Sequence, residues 1–569
     1  MQCLYSNVTQ HCQEASSFTG EACKLVSYCG PECQKAHWPE HKKACKSPLS
    51  KSNWHPAWDL ENRGPAWASG QAATNLHNPF GANKYMWGNV PAIDVLRLGQ
   101  NEGSQHAEDI ALLFAASGDL RNVVKTITNL PESFEHGVQI TINDREFDVV
   151  ARNTILLLFA FASLDQERPI TEIAECLIHL WYSAFLPASL VSSLRSRVGP
   201  LVSPTYNETA YKAQETIHKK MWKFRSGNTL LVNLQKKEWR RLEQFLHVPE
   251  GLGFEEAKKT RSATVMAPER TDYRDRWYYK DATPSMRLAK HRFREDGLLL
   301  PFGHPRSEFN SPNPTLFQTP NHWPMDDKAD PLDGWSIGGV NKMSTSATLD
   351  MYGKLFSYLR DEFSKFLDRL SKVKIDFQLY HLDVKDLPPH LDKEAYNRIE
   401  VSNITDRAYV GTATTLKLLF PLLQTPQQNP HATIITLYLN ATFETVRMGS
   451  VEEQDSNIEA IFDYLRLGPE MLPFLLSSPQ SAVMYKVWDS RSMVLDRDKF
   501  FGRFMALDRF DMISTALGVD MKKTNTIIEP WPMALKLKLP QKGAQEEFEF
   551  LLASNHTGWE RYVEWKWAK

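Results

Sequence analysis

The stretch DIALLFAASGDLRNVVKTITNLPESFEHGVQITINDREFDVVARNTILLLFAFAS, residues 109–163, decides the fold class, because it reads as strand, turn, helix, strand, helix. Its first apolar run, Ile110 to Ala116, is too short and too uniformly apolar for an amphipathic helix. It stops at Ser117-Gly118-Asp119, as a buried parallel strand ending in a turn would. Leu120 to Leu130 then places Val123, Val124, Ile127 and Leu130 at helical spacing, and Val138 to Ile142 alternates like a strand before Asn143-Asp144. Two parallel strands joined by a helix form one βαβ unit. Ligands of open sheets built this way sit beyond the carboxyl ends of the strands, where Gly118, Asp119 and Asp144 fall.

Downstream the pattern changes and then returns. Residues 164–370 read mainly as helices, over 171–194, 207–224, 236–246 and 349–370, the last with one apolar stripe from Tyr352 to Leu370. Between them, residues 300–335 are rich in Pro, Asn, Asp and Gly, which predicts an ordered loop or lid. Strand patterns resume at Ile375–Leu382, Tyr396–Ser402 and Ala432–Leu439. Asp383 and Asp386 follow the first of these, and Asn403 and Asp406 follow the second. Thr526–Glu529, Ala534–Leu539 and Glu547–Leu552 predict an antiparallel strand pair. The expected fold class is α/β: a doubly wound, mostly parallel sheet interrupted by a large helical insert.

Upstream, residues 46–80 carry Pro48, Pro56, Pro65 and Pro79 with no sustained period, a linker that rests on the next domain through Trp54, Trp58 and Trp67. Tyr85 to Leu96 predicts a short helix with Pro91 near its start. The chain of 569 residues has a net charge of −2, which gives no global pull toward nucleic acid or an anionic membrane. Its longest apolar stretch, Thr154 to Leu164, falls short of the roughly 18 residues of a membrane helix. No basic segment followed by an apolar one opens the chain. These features predict a soluble protein of the cytoplasm, with the nucleus as a second location.

Six of the seven cysteines lie within residues 3–45. Such crowding in a chain otherwise nearly free of cysteine favours metal over disulfides. Cys29 and Cys33 are separated by three residues, His41 follows Cys33 after seven, and Cys45 follows His41 after three, spacings that suit tetrahedral zinc. Tyr28-Cys29, Cys33-Gln34, His37-Trp38 and His41-Lys42-Lys43-Ala44-Cys45 resemble the second half of a MYND zinc finger. The resemblance implies one or two zinc ions, with Cys29 and Cys33 serving one and Cys23, His41 and Cys45 the other. Cys12 stands at a ligand position of the first pair, whose other position is Thr9, with Cys3 or His11 as substitutes. The expected partner of Cys23 is Gly20, so Glu21 or water is the candidate fourth ligand. The resemblance also implies that Gln34 and Trp38 border a shallow groove for proline-containing peptides, whereas Trp38 could instead cover the small core between the metals. His37 falls outside the ligand register and reads as a surface residue.

A second set of strings, Trp87-Gly-Asn-Val-Pro-Ala-Ile-Asp94, Gly118-Asp119-Leu-Arg121, Ala151-Arg152-Asn153, Tyr273-Arg-Asp-Arg276 and Pro312-Asn-Pro-Thr-Leu316, resembles the dynein axonemal assembly factor 3 family and its fungal relatives with an N-terminal MYND finger. That resemblance implies a methyltransferase-like sheet and a role in assembling partners. The expected divisions are a finger over 1–46, a linker over 47–80, half of a Rossmann-like domain over 81–163, the insert over 164–370, the second half over 371–445, and C-terminal helices with an antiparallel pair over 446–569.

Two function classes follow. As an S-adenosylmethionine-dependent methyltransferase, the chain would use Gly118 and Asp119 as a degenerate cofactor turn and Asp144 for the ribose hydroxyls. Asp383 or Asp386 would flank the adenine, and Asn403 or Asp406 would face the methyl group. As an interaction or scaffold protein, it would recruit a protein partner through the finger, with Asp119 and Asp144 acting as ordinary turn and cap residues. The second is the preferred expectation. A segment as small as 1–46 has little core of its own, so a chelator is expected to unfold it alone.

Overall fold

The structure is a computed structural model that describes residues 18–19, 23–68, 80–209, 211–446 and 458–568. Thirteen strands occur among them. They are β1 (Phe18–Thr19), β2 (Ser27–Tyr28), β3 (Ile110–Phe114), β4 (Val138–Asp144), β5 (Phe185–Pro187), β6 (Ile217–Lys223), β7 (Thr229–Gln235), β8 (Phe309–Pro312), β9 (Ile375–His381), β10 (Arg398–Glu400), β11 (Thr433–Tyr438), β12 (Val519–Met521) and β13 (Arg561–Trp567). Nine of them form one sheet in the order β12-β13-β11-β10-β3-β4-β9-β7-β6. The strands from β11 through β7 run parallel, and the pairs β11–β13, β13–β12 and β7–β6 are antiparallel.

The stretch read first forms the middle of this sheet. β3 pairs with β4 from Ile110↔Val138 to Phe114↔Ile142. Leu112 and Phe114 face one apolar core and Leu113 and Ala115 the other, so β3 is buried on both faces, as its uniform composition demands. β9, more than two hundred residues downstream, pairs with β4 from Val138↔Ile375 to Asp144↔His381, and β10 pairs with β3 at Leu112↔Arg398. The segments before and after the long insert therefore lie side by side in one layer. The chain runs β3, β4, β9 in one direction and then β10, β11 in the other, so the reversal of strand order falls between β3 and β10.

Several local expectations are corrected. Residues 207–224 are not a helix. The helix Ala188–Glu208 ends there, and Ile217–Lys223 turns back through Ser226-Gly227-Asn228 onto β7, Gly227 taking a φ of +85°. This hairpin adds two strands to the sheet from within the supposed helical insert. No helix forms over 85–96; that segment is an extended strap. The C-terminal antiparallel strands are β12 and β13, whereas Ala544–Ala553 is helical. The apolar helix Phe147–Asp165 is long enough to cross a membrane by length and composition, yet 89 % of its most apolar stretch is buried inside the protein. It is a core helix. Trp58 and Trp67 are buried with Tyr273 and Trp277, and Trp54 stacks under the Arg287 guanidinium at 4.6 Å, so residues 54–67 are fixed to the body.

Candidate metal centre and the carboxyl end of the sheet

The metal centre is built on the helix Pro31–Cys45, which begins with Pro31 at a position where a missing N–H is harmless and carries Lys42 and Lys43 in its last turn, where they complement the helix dipole. One turn separates His41 from Cys45, so both face the same side. The imidazole Nε2 of His41 lies 3.2 Å from the Sγ of Cys45 and 3.2 Å from that of Cys23, which arrives from the preceding loop. All three ligand atoms lie within 4.8 Å of one another. Tetrahedral zinc with ordinary Zn–S and Zn–N lengths would separate its sulfur and nitrogen ligands by about 3.6 Å, so this set fits such an ion with small adjustment.

Burial, with smaller contributions from His37 and Arg292, lowers His41 to about 4, which keeps its imidazole neutral and able to ligate. Burial and the neighbouring Cys23 push the Cys45 thiol up to about 11, a charge conflict that a bound cation would relieve. Nδ1 of His41 is buried and has no hydrogen-bond partner among the described residues. Cys29 and Cys33 bring their sulfurs to 3.1 Å, too far for a disulfide; two thiolates on one tetrahedral zinc stand about 3.8 Å apart, so the pair would open slightly to share an ion. Cys3, Thr9, His11, Cys12, Gly20 and Glu21 lie outside the described residues.

Residues 9–45 match the MYND finger family. The chain thus carries a MYND zinc finger with a Cys/His/Cys cluster. Residues 86–186 match a family described as Domain of unknown function (DUF4470). No solved structure matches the chain.

The MYND finger is not a free appendage. Leu25, Val26 and Tyr28 are at most 1 % exposed and belong to the same core as β3 and β4. The Cys23 carbonyl accepts from Ser285 Oγ at 2.7 Å, the Lys24 carbonyl accepts from the Leu349 N–H at 3.1 Å, and the edge of Phe302 meets His41 at 6.2 Å between ring centroids. Sequence spacing gave no sign of these docking residues. His37, expected at the surface, is half-buried, hydrogen-bonds Tyr28 Oη at 2.8 Å and stacks on His41. Trp38 lies 6.2 Å from the His41 ring yet stays 45 % exposed, and Gln34 sits one turn before it.

The residues expected to hold a nucleotide cofactor bond to the chain itself. Gly118, at a φ of +56°, donates to Asp144 Oδ2 at 2.9 Å and accepts from Asn153 Nδ2 at 2.8 Å. The other carboxyl oxygen of Asp144 accepts from the Glu146 N–H. Asp119 accepts from Gly88 N–H and pairs with Arg121 at 2.7 Å. Asn122 and Thr126, on the same face of the helix Arg121–Thr128, accept from Ile93 and Val95, so the strap is laced along that helix. Asp383 caps the turn Val384–Asp386, and Asn403 leans 3.4 Å from Asp406. Asp406 accepts from the N–H groups of Leu439 and Asn440, and burial pushes it up to about 6. Two cavities among the described residues, one beside Leu120 and Trp181 and one beside Lys84 and Asp148, enclose about 10 Å³ each, room for one water.

Proposed function

We propose that the chain is a zinc-dependent interaction protein whose MYND finger docks a proline-containing segment of a partner at Gln34 and Trp38, with the α/β body as its scaffold. The observation that carries this reading is the half-open Trp38 indole on a helix whose next turn, at His41, is locked into the metal cluster. An exposed ring beside an amide suits an extended proline-rich ligand, which presents its rings without hydrogen-bonding its own backbone. Cys23, His41 and Cys45 would hold one zinc ion, and Cys29 and Cys33, with ligands from the preceding segment, a second. Zinc at these positions would cross-link the finger and hold its helix in place.

The likeness to the dynein axonemal assembly factor 3 family supports a role in bringing other proteins together. The strand order, with antiparallel β13 between β11 and β12, supports a likeness to methyltransferase sheets. Within this reading the likeness is one of architecture, and the action belongs to the cytoplasm or nucleus. The experiment is capture of a fluorescein-labelled proline-rich peptide by the full chain, with zinc per chain counted in parallel. Trp38→Ala should weaken capture at least tenfold and leave zinc content unchanged. Capture that survives the substitution would refute the assignment of the groove.

A further inference from the structure

The two ends of the nine-stranded sheet differ. β12 at one end has three residues, too short to serve as a template, whereas β6 at the other has seven. The Phe224 N–H donates to the Asn228 carbonyl and the Lys236 N–H to the Thr216 carbonyl, both at 3.0 Å. In the observed register these bonds fix Thr216, His218, Lys220, Trp222 and Phe224 as the positions bonded to β7. Ile217, Lys219, Met221 and Lys223 therefore turn their N–H and C=O groups outward, and among the described residues those N–H groups have no partner. The same four side chains share one exposed face, Ile217 at 47 % and Met221 at 49 %.

Charge selects what this edge can accept. Between Tyr211 and Lys237 there are seven Lys and Arg residues and one acid, Glu215, in a chain that is negative overall. Glu208 neutralises Lys220 and Glu215 neutralises Lys237, but Lys219 and Lys223 form no ion pair among the described residues. Two copies of β6 brought edge to edge would crowd four lysines, two Lys219 and two Lys223, onto one short ribbon with no acid to offset them. A strand with acidic side chains would meet Lys219 and Lys223, and its apolar side chains would meet Ile217 and Met221. Alternating backbone donors and acceptors at strand spacing suit a peptide better than a phosphate chain.

We infer that β6 is a second docking site, at which an extended acidic peptide from a partner protein adds as a tenth strand. The test uses the full chain and a labelled peptide alternating Glu and Val, followed by fluorescence anisotropy. Met221→Pro removes an outward N–H without breaking a bond to β7 and should reduce binding at least tenfold. Lys219→Glu with Lys223→Glu, which leaves the strand pairing untouched, should do the same and shift preference to a peptide alternating Lys and Val. Trp38→Ala should leave this binding unchanged, which separates the site from the finger groove. Absence of binding at millimolar peptide, equal binding by the charge-reversed chain, displacement of the peptide by single-stranded RNA, or dimerisation through β6 would each overturn the inference.

Discussion

The N–H of Gly88 donates to Oδ2 of Asp119 at 2.8 Å, and through this bond the strap closes over the turn that follows β3. A Cβ at Gly88 would stand 2.1 Å from the Cζ of Arg121, whose guanidinium is itself held by Asp119 and the Val90 carbonyl. Gly88→Ala should therefore destabilise the chain by about 2–4 kcal/mol. Urea unfolding measures it, with zinc content as the control. An unchanged midpoint would mean that strap and turn are not packed together.

S-adenosylmethionine, or its demethylated product, should leave the melting temperature unchanged at millimolar concentration. Gly118, Asp119 and Asp144 already bond to Asp144, Gly88 and the Gly118 and Glu146 backbone, respectively. A ligand at a hundredfold excess over its Kd would contribute about 2.7 kcal/mol. A reproducible upward shift would show that the strap opens to admit it.

Stability should fall as pH rises toward 7, with Glu400 as one source. Burial pushes this carboxyl up to about 7, and the Ser402 N–H and Arg121 offset burial only in part. A folded pKa above the unfolded one means that folding takes up a proton. The resulting stability is complete below about pH 4.5 and lost as pH climbs through 7. Glu400→Gln keeps an oxygen for the Ser402 N–H and should exceed the parent at pH 8 by up to about 3 kcal/mol. Denaturation of both proteins at pH 5 and pH 8 tests this, since a gap equal at the two values would contradict it.

Chelation should lower the main thermal transition instead of adding a separate early one. The finger buries Leu25, Val26 and Tyr28 in the core shared with β3 and β4. Releasing each would forfeit about 1.5–3 kcal/mol. Calorimetry with and without a zinc chelator distinguishes this from the independent unfolding that the size of the segment alone suggests. Two resolved transitions would contradict the shared core.

The central strands were legible because each is local and buried on both sides, so Ile110 to Ala116 and Ala432 to Leu439 show as plain apolar runs. The hairpin was not, because Lys219, Lys220 and Lys223 leave a mixed pattern that fits helix and strand alike, and its Ser226-Gly227-Asn228 turn was the overlooked signal. β13 was hidden by Glu564, which looks like a surface residue but is buried and accepts from the N–H groups of Thr526, Ile527 and Ile528. At the metal centre, two ligands one helical turn apart carry their own signature. The contacts from Ser285 and Phe302 come from sequence too distant to leave one. The strap is held by Asp119, Asn122 and Thr126, polar side chains whose helical spacing is visible but whose acceptors' partners are not.

The docking of the finger also orders events on the ribosome. Ser285, which caps the Cys23 carbonyl, lies 262 residues downstream of it, roughly 13 to 52 s of synthesis. During that interval the finger can gather its metal, but it lacks the hydrogen bonds from Ser285 and Leu349 that fix it to the body. The zinc-bearing segment thus leaves the ribosome well before the residues that hold it in place. Its docking is complete only when the chain beyond Leu349 has followed it out.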